Sequence, residues 1–131
     1  MEEDSVIVRS RAIIASALDW KQAHATFDDA VAGLKVELRG KRPAHYPHSA
    51  WELVEHIRLA QADLLAFMTN ASYAALKWPD NYWPAESAPS TAKAWDESIA
   101  AVHRDRKALK EIATRPTLDI TAAIPWGDGQ T

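Results

Sequence analysis

Cysteine is absent from the 131 residues, so disulfides, thiolate zinc sites and cysteine nucleophiles are excluded. Glycine is scarce: there are four in the chain, none in a strand–GxGxxG–helix setting, which removes the phosphate-cradling loops. No serine sits in a G-x-S-x-G elbow. Long apolar runs are missing as well, and nothing approaches the ~20 residues a membrane-crossing helix needs. The N-terminus, Met1-Glu2-Glu3-Asp4, is acidic where a secretory signal would be basic, which points to the cytoplasm. Fifteen Lys and Arg against 18 Asp and Glu give a net charge of −3, the wrong sign for a protein that grips a phosphate backbone. What the chain does hold is six tryptophans and seven prolines, a composition suited to helices joined by stiff, aromatic-rich connections. The length fits one domain, residues 1–131, with a core of its own.

Apolar residues at Val6, Ile7, Ile13, Ile14, Ala17 and Leu18 favour a helix near 5–18. A second helix is expected over 22–36, because Thr26 can accept from the N–H three residues on and Asp28 and Asp29 suit a first turn. GKRPAHYPHS, 40–49, is a loop, since its two prolines deny helical geometry. Ser49 and Glu52 then form a capping box, opening a helix over 50–69. Leu53, Ile57, Ala60, Leu64 and Phe67 follow one face of it and are taken as its core line. Pro79, Pro84 and Pro89 forbid a long helix, so 71–90 is an ordered crossover packed by its own aromatics. Ser90 or Thr91 caps a further helix over 91–113, which Pro116 stops. The pattern is all-α, with the latter three helices as bundle elements.

Five histidines are the only candidates for site chemistry. His45 and His48 have a ligand-like spacing, but in a proline-rich loop they read as surface residues. His24 lies near a helix start and His103 beside an apolar stripe. His56 falls about 60° off the expected core line, and Asp63, seven residues on, shares its flank. On position alone His56 reads as a structural or half-exposed flank residue. Arg104, Arg106, Lys107 and Lys110 are diluted by Asp105 and Glu111 and form a solvated face. Trp51, Trp95 and the Tyr82-Trp83-Pro84 aromatics read as packing.

HSAWELVEHIRLAQADLLAF, preceded by GKRP and followed by SYAALKWPDNYWP, resembles a bacterial branch of the DinB-like superfamily. AHATFDDAVAGL and IPWGDGQT resemble the same branch, so the likeness spans nearly the whole chain. It implies a four-helix bundle of up-down-down-up type with a long crossover after the second helix. It also implies a divalent metal, nickel or zinc, held by three histidines at one end of the bundle. His56, the histidine of WELVEH, matches the first ligand. The other two belong to the fourth helix and are expected beyond Thr131, which stands at that helix's N-cap; the chain reads as cut before it. His45, His48 and His103 do not match the ligand motif. Activities implied by the superfamily include thiol-dependent group transfer and isomerisation; its name comes from DNA-damage induction and implies no nucleic-acid binding.

Three functions follow as expectations. The first is a metal-dependent hydrolase or thiol-dependent transferase acting on a small molecule. The second is a non-catalytic, truncated member acting as a folded or partner-dependent module. DNA binding is the third and is disfavoured by the acidic balance. His56 is expected at one end of the bundle, partly accessible, beside a groove lined by Leu53, Ile57, Leu64, Trp95, Ile99 and Val102. Leaving about 400 Å² of such a groove uncovered forgoes about 10 kcal/mol, comparable with a domain's whole stability. A homodimer in which each chain covers the other's groove is therefore expected, with no membrane or nucleic-acid partner.

Overall fold

The capping box at Ser49 starts the helix that organises the molecule. In the computed structural model, which describes residues 2–19, 21 and 24–131, Ser49 Oγ accepts from Glu52 N at 3.2 Å and the Glu52 carboxylate accepts from Ser49 N at 3.1 Å. Two otherwise unpaired N–H groups are satisfied at the helix start. Four helices follow in chain order: α1 (Glu2–Asp19), α2 (Phe27–Val31), α3 (Ala50–Thr69) and α4 (Ala92–Thr114). Single 3-10 turns lie at Val36–Leu38 and Asp80–Tyr82. Every regular element among the described residues is helical, and none is long and apolar enough to cross a membrane.

Trp51 meets Trp95 with ring centroids 6.4 Å apart, and ten residues further along α3 Gln61 Nε2 donates to Val102 O at 3.1 Å. Both pairings ascend together, so α3 and α4 run parallel, and the crossover of residues 70–91 makes the return. α1 runs the other way along α4. Near its middle the Arg11 guanidinium donates to Ala113 O (3.3 Å), Arg115 O (2.8 Å) and Leu118 O, while at its end Asp19 pairs with Arg106 (3.8 Å) and Lys110. The Arg11 cation thus serves carbonyls at and just beyond the end of α4, near the negative end of its dipole. α4 is central, with α3 on one side and α1 on the other, and α1 and α3 scarcely touch.

The second expected helix is corrected. Thr26 forms its capping box with Asp29, but α2 lasts only five residues. Ala32 is already extended and Gly33 takes φ +67, a left-handed conformation that side chains rarely adopt. A good cap sets where a helix starts and says nothing of its length. Residues 22 and 23 lie outside the described ones. The bundle elements are consequently α1, α3 and α4, not the last three of the expected helices.

The core line of α3 is corrected too. Its buried apolar residues are Trp51 and Val54, which pack around Trp95, 2% exposed, with Phe27, Val31, Leu34 and Ile99 at the edges. Leu53, Ile57 and Leu64 are 36%, 39% and 49% exposed. The expected groove residues therefore divide: the α3 stripe is open, whereas Trp95 and Val102 are sealed in the seam between helices. Apolar side chains lie nearly all round α3, so periodicity alone does not choose the buried face.

Candidate functional site

The crossover reaches His56 because two loops are fastened to the start of α3. Ser49, fully buried, donates through Oγ to Ser87 O at 2.5 Å. Gly40 lies so close to Ala88 that an added Cβ would stand 2.2 Å from the alanine Cβ, so only glycine fits there. Arg42 binds Glu52 through two nitrogens, at 2.8 and 3.2 Å, fixing the proline loop to the helix. That guanidinium and the Ser49 N–H hold the Glu52 carboxyl down to about 2.

Under this frame His56, in the second turn of α3, is half-buried against the crossover. Its Nδ1 lies 2.7 Å from Tyr82 O, and its ring stacks on Trp83 at 4.0 Å and 7°. Trp78 approaches from the side, with centroids 6.2 Å apart. A carbonyl can only accept, so Nδ1 carries the proton, and in the neutral ring Nε2 carries the lone pair. Among the described residues nothing bonds Nε2. A ring held this way, with one N–H tied to a carbonyl and the other nitrogen free, is suited to ligating a metal or accepting a proton.

Two turns further on, Asp63 accepts from Tyr82 Oη at 2.5 Å and from Tyr73 Oη at 2.7 Å. The negative carboxylate beside the phenols pushes Tyr82 up to about 12 and raises Tyr73 as well. Both phenols therefore stay protonated donors through the neutral range.

His48 is not the surface loop residue its setting suggested. Its ring stacks on Trp83 at 4.1 Å and 15°, so one indole carries two imidazoles. Its Nδ1 is buried without a hydrogen-bond partner, 3.8 Å from Glu52 Oε2. Glu52 and His56, four residues apart on α3, share a flank, and His48, just before the Ser49 cap, is brought to the same side by Trp83. His45 is exposed with φ +62. His103 pairs with Asp28, and Phe27 packs edge-on to its ring at 5.9 Å, so it serves to hold α2 on α4. Arg106, three residues on, is likewise occupied and bridges Asp19 and Asp28 at 3.8 and 3.6 Å.

As a metal site the described residues fit in one respect and not in another. His56 has the tautomer, the tie and the free nitrogen of a ligand. No three His, Cys, Asp or Glu side chains among the described residues come together to hold an ion. They supply one ligand and no complete site. Two surface clefts, one along Val36–Lys41 and Ala88–Ala92 and one along Ala12–Asp19 and Lys110, contain no histidine. No family model matches the chain, and neither a curated protein nor a solved structure does.

Proposed function

We propose that the chain is a DinB-like protein whose His56 is one ligand of a three-histidine divalent-metal site, nickel or zinc, in a hydrolase or thiol-dependent transferase acting on a small molecule. The observation that carries this is the His56 ring itself, tied at Nδ1 to Tyr82 O at 2.7 Å, stacked on Trp83, and free at Nε2. Support also comes from the helix directions: α1 one way, α3 and α4 the other, with a long crossover, agree with the first three helices of an up-down-down-up bundle. The remaining two ligands come from outside the described residues. When bound, the metal supplies a Lewis acid for activating water or a thiolate. This chain's part is to hold one imidazole oriented and partly screened from water by Trp78 and Trp83. Calorimetric titration of nickel or zinc into the 131-residue chain and into His56→Gln tests the reading. Weak binding that disappears in the variant is expected, since one imidazole makes a poor site. Binding that survives the substitution removes His56 from the site, and sub-micromolar affinity would mean the ligand set is different.

A second reading, a non-catalytic module that pairs with its own copy, is favoured by the open stripe of Leu53, Ile57 and Leu64. Such a row is the kind of apolar surface that marks an interface. The homodimer buries that stripe in each chain. Light scattering at micromolar concentration should give a dimer that Leu64→Glu splits, and a stable, cooperatively melting monomer would refute it.

A further inference from the structure

Tyr82 touches the flank of α3 at two points. Its carbonyl accepts from His56 Nδ1 at 2.7 Å and its phenol donates to Asp63, two turns along, at 2.5 Å. The next residue, Trp83, stacks on the same imidazole. Tyr73, at the start of the crossover, donates to the same carboxylate at 2.7 Å, so Asp63 gathers two separated points of the crossover onto one helix. We infer that Asp63, acting through Tyr82, is the positioning residue that decides which ring nitrogen of His56 is left free; the inference rests on the reading of His56 as a ligand.

The physical reason lies in the carbonyl. A neutral imidazole exists as two tautomers, and only the Nδ1–H form presents a lone pair at Nε2. A neighbouring carbonyl selects that form, but only while it stays within hydrogen-bond reach. Tyr82 O belongs to a single 3-10 turn in a proline-rich crossover, an element with little internal bonding of its own. What fixes its distance from α3 is the other end of the same residue, the phenol on Asp63.

Nitrogen-15 NMR of the His56 ring in the metal-free chain, at a pH well above the imidazole range, reads the tautomer directly. Asp63→Asn and Tyr82→Phe should raise the Nε2–H population several-fold. Tyr73→Phe removes a phenol from the same carboxylate but leaves Tyr82 attached, so it should keep the wild-type ring signals despite a comparable loss of stability. The inference is overturned if Asp63→Asn and Tyr82→Phe leave the ring signals unchanged, or if Tyr73→Phe shifts them as far as Tyr82→Phe. The two phenylalanine variants suffice if Asp63→Asn does not fold. Nickel affinity of the same variants separates this from the metal reading. A shifted tautomer with unchanged affinity sinks the ligand role of His56 and leaves the positioning intact.

Discussion

Trp51 and Val54 on one flank of α3 are held by burial against Trp95, whereas His56 and Asp63 on another are held by directed bonds to Tyr82, which lies 26 and 19 residues further along the chain. The first attachment is non-directional and scales with apolar area. The second depends on which groups carry protons. A helix fixed in both ways can lose its charged flank at extremes of pH while the tryptophan seam persists. The seam is where the molecule's stability concentrates, and the crossover flank is where its chemistry can be tuned.

The sharpest way to break this comparison is Trp95→Ala. It should cost about 3–5 kcal/mol in denaturant unfolding, the usual range for emptying a buried aromatic site, and the loss should be the same at every pH. A pH-dependent loss would mean that a titrating group contributes to the seam. Glu52→Ala comes next, at about 1–2 kcal/mol near neutrality, because it removes half of a capping box. Here the sign with pH is fixed. Glu52 is depressed from its usual 4.5 to about 2, so the stability it lends is complete above 4.5 and lost as pH falls toward 2. Thermal melts across that window should fall in the wild type and flatten in Glu52→Gln. Alkali acts on the crossover flank in the opposite sense. Tyr82 is raised from 10 to about 12, so the stability it lends is present below 10 and lost as pH climbs toward 12. Tyr82→Phe should remove most of that slope, and an unchanged slope would shift the effect to Tyr73. The smallest effect is expected at Leu64→Lys: within about 0.5 kcal/mol for the monomer, as for an exposed position. A larger loss would show that something covers the stripe.

Legibility followed the range of the interaction. α3 was readable to the residue, because Ser49 and Glu52 mark its start locally and its helical pattern runs unbroken to Thr69. The cap of α4 was narrowed to Ser90 or Thr91, and Thr91 fills it. Which face of α3 is buried was not readable, since Leu53 and Val54 are equally apolar neighbours and the choice between them is made by Trp95, about forty residues away. The shortness of α2 turned on Gly33, whose left-handed φ is a matter of chain path rather than propensity. At the candidate site, His56 and Asp63 could be placed on one flank by spacing alone. The partner that joins them could not, because no local rule says that Tyr82 returns to that flank. His48 was misjudged for the same reason: its own decapeptide is a loop, and the indole that stacks on it arrives with the crossover.

The three carbonyls served by Arg11 carry a consequence for the order in which the chain is made. Arg11 is made well before its acceptors, the first of which, Ala113, follows 102 residues later. Until Arg106 and Lys110 follow, α1 has none of these α4 partners, and a helix draws most of its stability from such packing. The contact closes a loop of 102 residues, so it is expected to form late, after α3 and α4 have already joined. Amide exchange in the last turn of α4 should therefore report on the first helix: fraying at the end of α4 unfastens α1.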